Sequence, residues 1–193
     1  MPDKFLNKYR IFSARLSKWD YSSNGIYFLT ICTARRQYYF GEIVNSKLRL
    51  SKIGEYAAVC WMNIPDHFPY FYLDAFVVMP NHLHGIVFIE KPFFVETRHA
   101  WSLQQPNSAE SPKLESGSQP QHFRFRNPGK NTISAMVGSF KSSVTKFCNE
   151  NEFPFGWQSR FHDHIIRDKH EFYRIRNYII NNPANWKQDR FFC

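Results

Sequence analysis

Two histidines, His82 and His84, lie one residue apart in the segment MPNHLHGIVF (79–88). On a β-strand, residues i and i+2 point to the same face, so the two imidazoles would project side by side at the start of a strand. Two imidazoles held in this way form half of a divalent-metal site. Histidines satisfied by hydrogen bonds at a sheet edge give the same pattern, so a metal site requires a further ligand.

A tyrosine and an asparagine lie one helical turn apart near the end of the chain. Phe172, Ile175 and Ile179 form the apolar stripe of a predicted helix, and Tyr178 and Asn182 stand at its edge, about 40° apart. An activated tyrosine can act as a covalent nucleophile, and an amide oxygen can bind a metal. An ordinary aromatic at the edge of a core gives the same spacing, so this pair alone does not establish a site.

A second pair of histidines, His162 and His164, lies in the segment FHDHII (161–166). By spacing alone this pair competes equally with the first as a source of metal ligands, and Asp163 would point to the opposite face. His164 could also join His82 and His84 in a zinc site that activates water. The three-dimensional neighbours of each pair decide between these alternatives.

The composition favours one intracellular domain with a polyanionic partner. The chain has 193 residues, of which 43% are hydrophobic and 18% aromatic, with a net charge of +9 and a pI of about 9.5. A basic chain favours nucleic acid first and an anionic membrane second. The N-terminus lacks the apolar core of a secretory signal, no stretch is long enough to span a membrane, and the cysteines form no CxxC pair. We therefore predict a cytoplasmic protein without a membrane partner.

The elements that must position these residues follow from their periodicity. We predict strands at 25–34, 70–79, 82–90 and 160–167, a hairpin over 39–51 that turns at Asn45-Ser46, and helices after Ser51, at 131–148 and at 169–182. This order matches an α+β fold of the ferredoxin-like βαββαβ type, in which an antiparallel sheet carries helices on one face, with a further C-terminal helix. Residues 91–130, rich in Pro, Ser and Gln, predict a flexible insertion within a single domain over 1–193.

These motifs together resemble the HUH superfamily of single-tyrosine transposases, and more narrowly the REP-associated tyrosine transposases. The combination of MPNHLH (79–84) and YIINNP (178–183) is far more specific than either motif alone. The matching text comprises WDYSSNGIYFLTICTARR (19–36), VVMPNHLHGIV (77–87), GSFKSSVTK (138–146) and FGWQSRFHDHIIRDKHEFYRIRNYIINNPANW (155–186).

The resemblance implies a transposase or endonuclease that cuts and rejoins single-stranded DNA at hairpin-flanked sites. It implies that His82, His84 and Asn182 bind Mg²⁺ or Mn²⁺ and that Tyr178 is the nucleophile, which gives a 5′-phosphotyrosine intermediate. It also favours a monomer that acts in cis, with a homodimer as the alternative. The predicted DNA-binding residues are basic: Arg35, Arg36, Lys141 and Arg160.

Three other functions remain open from the sequence. The chain could be a non-catalytic single-stranded nucleic-acid-binding domain of the same fold. It could instead be the zinc hydrolase described above, or a ferredoxin-like structural domain that binds no nucleic acid. A covalent link between protein and DNA separates the transposase from all three.

Overall fold

The computed structural model describes the side chains of residues 19–92 and 129–192. It also describes two short N-terminal strands by their backbone, β1 (Lys4–Phe5) and β2 (Lys8–Tyr9), which pair in antiparallel fashion. The chain divides into two units, 1–91 with 128–193 and 92–127. Apart from Pro92, the second unit, and with it most of the predicted insertion at 91–130, lies outside the described residues.

A four-stranded antiparallel sheet organises the first unit. Its strands are β3 (Gly25–Cys32), β6 (Phe71–Met79), β7 (His82–Ile89) and β8 (His162–Ile166), in the order β6-β7-β3-β8. The predicted strands agree with these bounds to within two residues at each end. This strand order, with β7 and β3 in the centre and the hairpin partner β6 at one edge, is that of the predicted ferredoxin-like α+β fold, which is confirmed.

A separate hairpin precedes the first long helix. Strands β4 (Gly41–Val44) and β5 (Lys47–Leu50) pair in antiparallel fashion around a turn at Asn45 and Ser46. Both turn residues have positive φ, 50° and 58°, as a type I′ turn requires. The predicted turn position is therefore confirmed.

Helices α1 (Lys52–Met62), α2 (Ile64–His67) and α3 (Ile133–Glu150) follow this hairpin and the strand β7. Ser51 begins α1 by accepting a hydrogen bond from Gly54 N at 3.1 Å, and Thr132 begins α3 in the same way. Buried side chains of α1 and α3 pack with alternate residues of the sheet, among them Tyr27 and Leu29, into the main core. No α-helix within the described ranges is long and apolar enough to cross a membrane.

Helix α4 (Lys169–Asn181) packs against the opposite face of the sheet. Ile175 and Ile179 of α4 form a second buried cluster with Ile86 of β7 and Ile166 of β8. Arg176 of α4 is also tied to β6, because its Nε donates to Asp74 at 2.9 Å. The helix that carries Tyr178 is thus fixed directly over the strand that carries both histidines of the first pair.

Candidate metal and nucleophile site

The first histidine pair lies on the sheet face that α4 covers. Thr30 of β3 pairs with His84 on one side and with His162 on the other, so one row of side chains crosses three strands. His82 and His84 are fully buried, with exposed fractions of 0% and 1%. The predicted side-by-side arrangement is present, since the ring centroids of the two histidines lie 4.3 Å apart.

The imidazole of His82 is oriented by the residue before it. Asn81 donates from Nδ2 to the carbonyl of Phe191 at 2.8 Å, which directs its Oδ1 towards His82 Nδ1, also at 2.8 Å. His82 Nδ1 therefore carries the proton, and Nε2 keeps a free lone pair. That buried Nε2 has no hydrogen-bond partner among the described residues, as expected of a metal ligand whose ring is oriented by a second hydrogen bond.

Burial keeps both histidines of this pair neutral. It lowers the pKa of His82 to about 3, with smaller contributions from Arg190 and Arg36. Burial also lowers the pKa of His84 well below its usual value, and the neighbouring His82 adds to the effect. A neutral imidazole is the form that binds a metal, so these rings are ready to coordinate at physiological pH.

Tyr178 lies within reach of the histidine pair. Its Oη is 3.2 Å from His84 Nε2 and donates to Oδ2 of Asp189 at 2.7 Å. Its side chain keeps an exposed fraction of 41%, so the hydroxyl stands at the boundary between core and solvent. Burial, reinforced by the hydrogen bond to Asp189, raises the pKa of Tyr178, and the phenol therefore keeps its proton at neutral pH.

The amide of Asn182 completes the cluster from the end of α4. Its Nδ2 donates to Asp189 Oδ2 at 2.7 Å, so its Oδ1 is the atom that points away from this carboxylate. Asn182 has an exposed fraction of 2%, and Oδ1 is buried without a hydrogen-bond partner within the described part of the chain. Oδ1 of Asn182 and Nε2 of His82 are thus two buried acceptors without partners among the described residues, and their role as metal ligands stays a prediction.

Asp189 is a site residue that the sequence did not reveal. One ligand atom from each of His82, His84 and Asp189 falls within 4.8 Å of the other two, close enough to share an ion. Burial opposes ionisation of Asp189, but hydrogen bonds from Tyr178, the backbone N–H of Phe191 and Asn182 outweigh it and lower its pKa. A carboxylate oxygen therefore joins the two imidazoles and the amide, a mixed N/O set that suits Mn²⁺ or Mg²⁺ better than a thiolate site would.

The C-terminal residues cover the histidine pair. The ring of Phe191 lies 4.5 Å from that of His82 and 5.6 Å from that of His84, between centroids. The guanidinium groups of Arg36 and Arg190 stack on the same phenyl ring at 5.2 and 4.7 Å. Two cations thus flank the cluster, and Arg190, like Asp189, was not predicted.

The other predicted DNA-binding residues occupy different environments. Arg35 and Arg160 are exposed. Lys141 is partly buried, and its Nζ donates to the carbonyl of Gln158 at 2.6 Å while it lies 5.5 Å from the ring of Trp157. Lys141 thus anchors the segment before β8, and a DNA contact from this side chain stays a prediction.

His164 takes no part in the ligand cluster. Its Nε2 is 2.8 Å from Oε1 of Glu171 on α4. The three-histidine zinc site considered from the sequence is therefore not the grouping found among residues 19–92 and 129–192, where Asp189 and not His164 accompanies His82 and His84.

Comparisons with known proteins agree with this architecture. No protein-family model matches the chain. An uncharacterized protein of Haemophilus influenzae is 38% identical over 181 residues, which cover 93% of this chain and 92% of the relative. A solved structure of a REP-associated tyrosine transposase bound to a REP hairpin superimposes with a TM-score of 0.56 at 17% identity, covering 93% of this chain and 77% of that chain. The chain therefore has the fold of a REP-associated tyrosine transposase, as its motifs indicate, and belongs to one family with the Haemophilus influenzae protein.

Proposed function

We propose that this protein is a metal-dependent transposase that cuts and rejoins single-stranded DNA through Tyr178. The observation that carries the proposal is the position of Tyr178 Oη, 3.2 Å from His84 Nε2, in a cluster with two buried acceptors that lack partners in the described part of the chain. A nucleophile beside a ready-made set of metal ligands is the arrangement that phosphodiester transfer requires.

His82, His84 and Asn182 would hold the metal, and Asp189 is close enough to contribute an oxygen. Bound there, Mg²⁺ or Mn²⁺ would polarise the scissile phosphate and neutralise charge that develops on it. The donor set fits such an ion, since it combines neutral imidazoles with one amide and one carboxylate oxygen.

The residues of this chain then supply the covalent step. Tyr178 Oη forms a bond to phosphorus while the bond from phosphorus to the 3′ oxygen breaks. The phenol proton passes to Asp189 Oδ2 along the 2.7 Å hydrogen bond, and from there it is relayed by water to the departing 3′ oxygen. The products are a 5′-phosphotyrosine link and a free 3′-OH. Attack by a second 3′-OH reverses these changes and rejoins DNA without ATP.

The DNA substrate is proposed from charge and from the structural neighbour. The net charge of +9 favours a polyanion, and Arg36 and Arg190 lie at the site itself. The neighbouring REP-associated transposase was solved with a REP hairpin, which supports hairpin-flanked single strands as the substrate of this chain.

We also propose that the protein acts as a monomer. The histidine pair lies on β7 and Tyr178 on α4 of the same chain, and Arg176 ties α4 to Asp74. No second copy is needed to bring the nucleophile to the ligands, so a homodimer would add no missing residue to this cluster.

The test is covalent trapping on hairpin oligonucleotides from the DNA that flanks its own gene, with Mn²⁺. We expect a species larger by the mass of the DNA fragment that survives SDS, and we expect Tyr178→Phe to abolish it. Tyr173→Phe is the matched control, because Tyr173 is an exposed tyrosine on the same helix whose ring contacts Phe172.

A second variant isolates the metal. His82→Ala should abolish cleavage but retain most of the hairpin affinity, because phosphate contacts come from basic side chains. Cleavage without a covalent species would contradict the tyrosine mechanism. Tight hairpin binding without cleavage, by a protein that binds Mn²⁺, would favour the non-catalytic DNA-binding domain instead.

A further inference from the structure

A cavity of about 450 Å³ opens beside Tyr178 and His84, which both line it. Its volume falls within the range of roughly 300–1,000 Å³ that is usual for ligand sites. The second histidine pair lines it, since His162 pairs with Thr30 and His164 with Phe28 across the β3–β8 ladder. Helix α4 forms the other wall.

The cavity walls carry a surplus of positive charge. Arg174 of α4 and Arg190 lie at its edge together with His162 and His164. Glu171 is the acid among its lining residues. Its carboxylate is occupied by bonds from His164 Nε2 at 2.8 Å and from the backbone N–H of Arg167 at 3.1 Å.

Glu171 also brings two basic side chains together. Its Oε1 lies 3.6 Å from Arg174 Nη2 while it holds His164, so one carboxylate aligns an imidazole and a guanidinium at the cavity. Both side chains remain accessible, with exposed fractions of 44% for His164 and 64% for Arg174. The Arg174 guanidinium keeps further N–H groups beyond this contact, and the protonated form of His164 has a second N–H at Nδ1, so both side chains can donate to a phosphate oxygen.

The inner wall of the cavity is apolar and aromatic. Phe28, Ile175 and the ring of Tyr178 line it, and the Phe28 and Tyr178 rings meet edge to face at 6.4 Å between centroids. An unpaired base stacks on such rings, while the phosphate of the same nucleotide binds cationic side chains. The cavity therefore combines both halves of nucleotide recognition next to a nucleophile.

We propose that this cavity binds the unpaired nucleotide next to the phosphate that Tyr178 attacks, with His164 and Arg174 on its own phosphate and Phe28 against its base. The proposal rests on the proposed function, because it takes Tyr178 as the attacking group. It assigns the second histidine pair to substrate binding, a role separate from that of the first pair.

The test measures binding in the absence of metal. Fluorescence anisotropy would measure the affinity of the protein for a hairpin oligonucleotide with its unpaired flank, in EDTA. The same measurement would be made for a series of oligonucleotides in which a neutral methylphosphonate replaces one phosphate of the flank at a time. We expect the methylphosphonate at one position of the flank to weaken binding by the wild-type protein about tenfold, which is the effect of losing one charge-assisted contact. In His164→Ala and Arg174→Gln, the unmodified DNA should bind about tenfold more weakly, and the dependence on that position should disappear.

Lys146→Gln is the matched control. Lys146 lies on α3, its side chain is 76% exposed, and it pairs only loosely with Glu150, at 3.8 Å. Its replacement removes the same charge as Arg174→Gln but should preserve the dependence on the methylphosphonate position. Equal losses in Lys146→Gln and Arg174→Gln, or no sensitive position in the wild type, would overturn the proposal.

The outcome is independent of catalysis. A protein that never forms a covalent species can still show the positional pattern, which would support the cavity and refute the transposase. A protein that forms the covalent species without any positional pattern would refute the cavity alone. Thermal unfolding of each variant checks that the exposed substitutions leave the fold intact.

Discussion

The hydroxyl of Tyr178 and the amide of Asn182 donate to the same oxygen of Asp189, each at 2.7 Å. One carboxylate oxygen therefore sets the position of the proposed nucleophile and the orientation of a proposed metal ligand. The other oxygen of the Asp189 carboxylate, Oδ1, accepts a hydrogen bond from the backbone N–H of Phe191 at 2.7 Å, so the carboxylate itself is fixed.

We expect Asp189→Asn to lower the affinity for Mn²⁺ by about 10–100-fold, the usual effect of losing a group that orients metal ligands. The substituted amide loses the negative charge and no longer dictates which end of the Asn182 amide faces residue 189. Isothermal titration calorimetry measures the affinity. Asp66→Asn, an exposed acid of α2, removes the same charge as a control. Equal Mn²⁺ affinities in wild type and Asp189→Asn would exclude this role.

Gly85 allows β7 to pass beneath Trp61. A Cβ at position 85 would lie 2.4 Å from Cζ2 of the Trp61 indole, which is fully buried. We expect Gly85→Ala to lower the free energy of unfolding by about 1–3 kcal/mol, the cost of overpacking a core. Urea denaturation measures it.

The smaller ring in Trp61→Phe removes the clashing atom and provides the check on this explanation. In the double variant Gly85→Ala/Trp61→Phe, we expect a destabilisation smaller than the sum of the two single effects. Strict additivity would show that the added methyl group acts elsewhere.

The carboxylate of Glu171 makes stability depend on pH. A hydrogen bond from His164, followed by one from the backbone N–H of Arg167, lowers the pKa of Glu171. An acid with a lowered folded pKa stabilises the protein fully above its unfolded pKa of about 4.3, and loses this contribution as the pH falls through the folded value. We therefore expect Glu171→Gln to have a lower Tm than wild type at pH 7. The gap should close as the pH falls through the lowered folded pKa of Glu171, and a gap that stays constant would argue against the ionised contact.

The segment 93–128 is expected to contribute little to the stability of the first unit. Its flanking residue Lys91 is already fixed by Asn24, which bonds to its N–H at 2.8 Å and to its carbonyl at 3.0 Å. Replacing 93–128 by a Gly-Ser linker should change Tm by no more than about 3 °C, or ~1 kcal/mol for a chain of this size. Loss of the cooperative thermal transition would show that these residues belong to the core.

Local patterns predicted most of the fold because each element satisfies its own rules. Ser51 caps α1, Asn45 and Ser46 adopt the positive φ of the hairpin turn, and the apolar stripe of α3 becomes its buried face. The 1,3 spacing of His82 and His84 likewise required only a strand to bring the two rings together.

The remainder of the site depends on contacts between residues that are distant in sequence. Asp189 follows α4 after the short 3-10 helix Trp186–Gln188, and no periodicity relates it to Tyr178. The proximity of His162 to His84 follows from strand pairing on both edges of β3, which local spacing does not encode. Lys141 was predicted to bind DNA because of its charge, whereas in the structure its ammonium group is held by backbone carbonyls.

The tie between Asp74 and Arg176 has a kinetic consequence. Because α4 is held against the sheet of its own chain, the Tyr178 hydroxyl and the His84 imidazole are already together in each molecule before it meets a target. For the monomer proposed above, the rate of reaction at this cluster should then rise in simple proportion to the protein concentration, with no threshold at low concentration. Such a monomer would have the same specific activity at low and at high concentration.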